Sequence, residues 1–323
     1  MIKYIPKILL AWVVCVLATG CIKEEMDDCD NVTIYFQYLA DGDKDVLYQY
    51  MKKVDLYVFD EGGHIMGVGN YNEDDLKNFA AKPSFKLTPG RKYKVVAVGN
   101  AYERTEVVNV ASETDFSNIY LQHPAWGTDD QVDGHDHNYI GQKEFYIPAE
   151  GEFTVFRDTV TLYSAHVNVE IEINGLPVPD AVRAGEEIPY TLMIQQSNAQ
   201  TDFEGHINTE EKGTCYPTLI YDYDRNCYRT DDLTLFRMDD YSRGFDQTYC
   251  EHELVLVNNQ TGDEMIRGSI YKYLKYFEDE IDITKQEATL PIAINFHSVD
   301  VEITLPQWFV EDLYPEWGTK AVF

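Results

Sequence analysis

The sequence predicts an all-β fold, with two tandem antiparallel β-sandwiches behind an export leader. Three observations predict it. Many short segments alternate apolar and polar side chains with period two, the pattern of antiparallel sheets covered on one face. The composition favours strands, with 24 tyrosines and 13% aromatic residues. The alternation changes parity near residue 163, which places the end of one sandwich and the start of the next there.

The leader comes first. "MIKYIPK" carries Lys3 and Lys7 and no acid, and "ILLAWVVCVLATG" is then apolar to Gly20. A basic region, an apolar run and a small-residue cleavage zone make residues 1–20 a signal peptide. The run is shorter than the roughly 20 residues a membrane span needs. The zone ends in Gly20-Cys21 and resembles a bacterial lipobox, with Ala18 where leucine is usual. Cys21 is therefore the expected lipid-attachment residue. Acyl chains contribute about 0.8 kcal/mol per buried methylene, and stable attachment takes more than one chain. Residues 21–28, "CIKEEMDD", form a polar tether, and its Lys-Glu-Glu run is similar to the surface-export signal of Bacteroides-type lipoproteins.

Beyond the tether the chain reads as strands. In "VTIYFQYL", Val32, Ile34, Phe36 and Tyr38 alternate with Thr33, Tyr35 and Gln37. "VDLYVFD" alternates Val54, Leu56 and Val58, then meets the turn "DEGGH". "KYKVVAVGN", "TVTLYSA", "HVNVEIEING", "YTLMIQQ", "HELVLVNNQTGD", "ATLPIAINF" and "VDVEITLP" follow the same style. "NEDDLKNFAAK" at 72–82 predicts a short helix with Asn72 as its N-cap. "DKDVLYQYMKKV" reads as a helical turn between two strands. Val160 and Leu162 are even-numbered, whereas Val167, Val169, Ile171 and Ile173 are odd. The two sandwiches are thus expected over 29–163 and 164–323. The loop "HPAWGTDDQVDGHDHN" at 123–138 is polar and predicts a solvated surface excursion.

Charge and cysteines narrow the function. The net charge of −30 repels phosphate backbones, so nucleic acid is not an expected partner. With Cys15 in the leader and Cys21 lipidated, Cys29, Cys215, Cys227 and Cys250 remain as disulfide candidates in an oxidising place. Four cysteines allow three connectivities. The turn "DYDRN" is not centred between Cys215 and Cys227, so a regular cross-hairpin bond is not expected of them, whereas a loop-closing bond is allowed. A Cys29 bond would tie the first sandwich to the second.

No GxSxG, HExxH, P-loop or dinucleotide fingerprint is present. Asp133, His135, Asp136 and His137 have metal-ligand chemistry, but the polar loop reads as solvated rather than as a metal centre. Asp41, Asp43 and Asp45 are spaced as in a calcium loop, yet Val46 and Lys52 stand where glycine and glutamate belong. Cys250 and His252 share a strand face, and the expected reading is a disulfide cysteine beside an exposed histidine. Trp308, Phe309, Tyr314 and Trp317 are expected to pack the final segment. No catalytic residue, metal or cofactor is expected beyond lipid on Cys21.

The order of segments carries a resemblance. Cys21 is followed by Asp28-Cys29, "VTIYFQY", "VDLYVFDEGGHIM", "LTPGRKYKVVAVGN" at 87–100, "NYIGQKEF" at 138–145 and "VTLYSAHVNVEIEINGL" at 160–176. This resembles the FimB-type fimbrial anchor lipoproteins of Bacteroides-type (type V) pili. The resemblance implies two transthyretin-like sandwiches and a role at the base of a pilus, holding pilin subunits to the outer membrane by strand addition. Polymerising relatives are cut after an arginine near the first strand. Here no arginine precedes Arg91, which favours an uncut anchor. The alternatives are a surface glycan-binding lipoprotein of a polysaccharide-uptake system and a non-anchor minor pilus subunit. The expected location is the outer-membrane surface, as part of a fimbrium.

Overall fold

The structure is a computed structural model and describes residues 30–77, 84–149, 155–178, 188–240 and 244–313. The leader, Cys21, Cys29, Tyr314 and Trp317 lie outside the described residues. The first half holds β1 (Val32–Gln37), β2 (Lys53–Asp60), β3 (Ile65–Asn72), β4 (Ser84–Phe85), β5 (Lys92–Gly99), β6 (Glu106–Val108), β7 (Tyr120–Gln122), β8 (Tyr139–Tyr146), β9 (Phe156–Thr161) and β10 (Tyr163–Ser164). The second holds β11 (His166–Asn174), β12 (Tyr190–Asn198), β13 (Gln200–Asp202), β14 (Lys212–Cys215), β15 (Leu219–Asp222), β16 (Cys227–Thr230), β17 (Leu233–Phe236), β18 (Glu253–Asn258), β19 (Glu264–Ser269), β20 (Thr289–Phe296) and β21 (Val301–Thr304). Short helices are α1 (Leu47–Tyr50), α2 (Glu73–Lys77), α3 (Ile270–Tyr276) and α4 (Gln307–Leu313).

Local chemistry explains the breaks. The Asp60 carboxylate accepts from Gly62 N–H and His64 N–H, both at 2.9 Å, and closes the β2–β3 turn. Gly63 there has φ +79°, and a Cβ would lie 2.3 Å from the Thr114 carbonyl oxygen. The Asn72 side chain accepts from Asp74 N–H and Asp75 N–H, the N-cap expected for α2. The remainder of that expected helix, from residue 78, lies outside the described residues. "LYQY" makes α1, the turn between β1 and β2.

The first half pairs its strands in the orders β4-β1-β9 and β10-β8-β5-β2-β3. The second uses β15-β16-β11-β20-β21, with β17 also on β11, and β14-β12-β18-β19. Antiparallel pairing prevails as expected. The exceptions among the described strands are β1 with β9 and β11 with β20, which run parallel. Each joins the first strand of its half to a late one, so the long connection a parallel pair needs is available.

Two cores lie between the paired sheets of each half. Val32, Ile34, Leu56, Val95, Phe145 and Val160 fill the first, and Val169, Ile171, Leu192, Leu254, Leu290 and Ile292 belong to the second. A third core corrects the expectation of one covered face. Tyr57 and Phe59 of β2, with Val96 and Val98 of β5, pack on the other side against Leu121, Phe203 and Phe236. The cover is a small sheet, β13-β7-β6, in which Thr201 of the second half pairs with Leu121 of the first. Burying a phenylalanine such as Phe203 or Phe236 contributes about 1.5–3 kcal/mol, so both halves gain from the shared core.

Loop 123–138 departs from expectation. Residues 127–131 are exposed, but its end is an anchored strap. His135 N–H donates to the Thr234 carbonyl at 2.9 Å, and the ring stacks on Phe236 at 3.8 Å. Thr105 Oγ1 donates to Asn138 Oδ1 at 2.8 Å. The strap carries few apolar residues, so its polarity hides a burial achieved through hydrogen bonds.

Candidate docking edge and the seam between the halves

Cys215, Cys227 and Cys250 are free thiols in buried positions. Desolvation pushes the Cys227 thiol up to about 11 and Cys250 to about 12, and raises Cys215 further. The expected exposure of His252 is corrected: it is fully buried, and desolvation lowers its pKa to about 3. A protonated thiol and a neutral imidazole make no nucleophilic pair.

The four candidate ligands of the strap face different partners. Asp133 pairs with Arg104 at 3.2 Å and His123 at 3.4 Å. His135 is buried, and desolvation pushes its pKa to about 3. Asp136 accepts from Tyr102 N–H at 2.8 Å, while His137 lies 3.5 Å from Asp232. The aspartates after β1 are also structural. Asp45 accepts from Leu47 N–H at 3.0 Å, and Asp41 from Gln286 N–H at 3.1 Å. Sequence reasoning missed Asp202, Glu204 and His206, whose ligand atoms lie within 4.8 Å of one another. Their alternating spacing, "DFEGH", was the available signal. Asp202 already accepts from Glu204 N–H and His206 N–H, and Lys94 stands 3.8 Å from Glu204.

The seam centres on Glu287. Tyr38 and Tyr139 of the first half both donate to its carboxylate, Tyr139 at 2.9 Å. His166 Nε2 lies 3.7 Å away. Burial raises the Glu287 carboxyl, but the nearby His166 imidazole and the hydrogen bonds from Tyr38 and Tyr139 outweigh it and hold the group below the usual carboxylate range. Beside it, Ser164 N–H donates to Gln286 Oε1 at 2.9 Å.

The docking edge lies at the far side of the first half. Among the described residues β3 ends its sheet, pairing with β2 alone. "IMGVGNYN" contains no charged residue and no proline. Met66 is 53% exposed and Val68 48%. Edge strands are ordinarily blunted by charge, proline or brevity, because their free N–H and C=O groups template a further strand. β3 shows none of these three guards, and its one irregularity is a bulge at Met66, where Val58 pairs with Gly67 and Phe59 with Ile65. Two other edges, of six residues each, carry charge: β19 has Glu264 and Arg267 paired at 2.8 Å, and β9 has Arg157 and Asp158.

A family model of the fimbrillin-A associated anchor proteins Mfa1 and Mfa2 matches residues 26–314. The chain belongs to that family. Among solved structures, the fimbrial anchor protein Mfa2 from Porphyromonas gingivalis is similar, with TM-score 0.61 and 15% identity over 85% of this chain and 98% of that one. A Bacteroides thetaiotaomicron protein proposed to bind polysaccharide gives TM-score 0.62 and 14% identity over 87% and 99%. A Bacteroides ovatus protein proposed to be an adhesin gives 0.62 and 15% over 89% and 96%. At these identities the likeness carries fold alone. Nothing among curated proteins matches. For this member of the anchor family, no helix among the described residues is long and apolar enough to cross a membrane.

Proposed function

We propose that this chain is an outer-membrane lipoprotein that holds a fimbrium to the cell surface, without enzymatic activity. Lipid on Cys21 fixes the chain to the membrane, and the tether 21–28 gives it reach. The fibre is held by strand addition at β3. The observation that carries the reading is the unguarded edge in a chain of the anchor family. An added strand gains main-chain hydrogen bonds, while alternate side chains such as Met66 and Val68 supply specificity. The occupant is an extended segment of a fimbrial subunit.

The test is capture of purified fimbrial subunits by the mature chain, with membrane fractionation of a Cys21→Ala variant beside it. The reading expects specific capture and release of the variant from the outer membrane. Failure to capture any subunit would overturn the docking role. A variant that stayed membrane-bound through an uncleaved leader would overturn the lipid anchor.

A further inference from the structure

The solvent side of the second half carries a polar trough. β11 sends Val167, Val169, Ile171 and Ile173 into the core, so Asn168, Glu170, Glu172 and Asn174 stand on the opposite face. Asn168 lies opposite Thr234, and Glu172 opposite Arg229. From Val169 to Glu172 β11 advances three residues, while its partner chain advances four, from Arg229 to Leu233. The extra residue lies at the turn where Asp232 takes φ 47°. Ile171 N–H donates to Thr230 Oγ1 at 3.1 Å instead of to a ladder carbonyl. Such a bulge bends one strand away from its neighbour. Here it opens a cleft of about 440 Å³ whose walls include Asn168, Glu170, Arg229 and Trp308. A second cleft, of about 610 Å³, adjoins it at Glu172, Arg225 and Trp308. These are the sizes of small-molecule sites, roughly 300–1,000 Å³.

Most polar groups in the trough hold one another. Arg225 donates to Glu172 at 2.7 Å, Arg229 to Asp222 at 3.1 Å, and Thr234 Oγ1 lies 3.2 Å from His137 Nε2. Two do not. Asn168 Oδ1 and Trp308 Nε1 are buried atoms with no hydrogen-bond partner among the described residues. One is an acceptor and the other a donor. An unpaired buried polar group is costly, and native structures rarely leave one without a reason. A hydroxyl satisfies either atom, donating to the amide oxygen or accepting from the indole N–H. The indole also offers an apolar face, and the clamped carboxylates and guanidinium groups can accept from and donate to further hydroxyls. Glu170, Glu172, Asp222 and Asp232 outnumber Arg225 and Arg229 in the lining, and the chain is strongly acidic. An anionic ligand is repelled.

We propose that this trough binds a neutral oligosaccharide, with Trp308 and Asn168 as its recognition residues. The site is independent of β3 and of the anchoring role. Calorimetric titration of the mature chain with gluco-, xylo- and manno-hexasaccharides tests it, with hexagalacturonate as the anionic control. Saturable binding of at least one neutral sugar is expected, and none of the galacturonate. Asn168→Leu and Trp308→Ala should each weaken binding at least tenfold, and Trp308→Phe less, because it keeps an aromatic face. If Trp308→Ala fails to fold, Asn168→Leu decides. No saturable binding of any neutral hexasaccharide, preference for galacturonate, or affinity unchanged in Asn168→Leu would each overturn the proposal.

Discussion

His252 shows how one buried side chain makes stability depend on pH. His252 and His135 are both lowered from 6.5 to about 3, chiefly by desolvation. Between those values the unfolded chain binds protons that the folded chain refuses, so stability falls as pH drops. The contribution is full above about pH 6.5 and is lost progressively toward pH 3. From about pH 7 to pH 5 each histidine should cost roughly 2 kcal/mol. His252→Gln, compared by urea denaturation at both pH values, should remove the share of the loss that belongs to His252, and an unchanged slope would contradict the assignment. The signal for burial was in the sequence, because Cys250, His252 and Leu254 share one strand parity and are all buried. Reading His252 as exposed ignored the face on which Leu254 and Leu256 pack. The cysteines give a second residue-scale prediction. In a mature chain with Cys21→Ser and Cys29→Ser, three thiols should react with a maleimide in denaturant and essentially none in native buffer. Fewer than three in denaturant would reveal a disulfide.

At the scale of elements, glycines report how closely strands approach. A Cβ on Gly141 of β8 would lie 2.3 Å from the Thr161 carbonyl of β9, whereas one on Gly67 of β3 meets nothing within 4 Å. Gly141→Ala should therefore destabilise by about 1–3 kcal/mol, the range for overpacking. Gly67→Ala should stay within about 0.5 kcal/mol, as exposed substitutions usually do. Urea midpoints compare them, and equal effects would sink the close-approach argument. Strand identity was legible from alternation in β1, β2, β5 and β11. The double-sided burial of β2 and β5 was partly legible, since "KVVAV" is apolar at both parities, the mark of a strand covered on both faces. What covers them was not: Leu121, Phe203 and Phe236 come from short segments far apart in the chain. The trough was hidden for the same reason. Its bulge arises where β16 and β17 meet β11, and Trp308 arrives from the distant α4.

Over the whole molecule the halves act together. On either side of Ala165, β10 pairs in one sheet and β11 in another. The shared core and Glu287 then bind the halves. Glu287→Ala leaves two tyrosine hydroxyls without their charged acceptor, and hydrogen bonds to charged groups contribute about 1.5–3 kcal/mol. A loss of about 2–3 kcal/mol is expected in urea denaturation, and a loss below about 0.5 kcal/mol would show that the seam is loose. The fimbrial role rests on family membership and on one uncharged edge, which was not singled out from sequence because "IMGVGNYN" alternates weakly. The central claim is that a fimbrial subunit docks along β3, and the most direct measurement is subunit affinity for the mature chain and for its Met66→Lys, Val68→Lys double variant. Both positions are solvent-exposed, so the melting temperature should hold while the lysines guard the edge. The account predicts affinity at least tenfold weaker in the variant, and equal affinity for the two chains would contradict it.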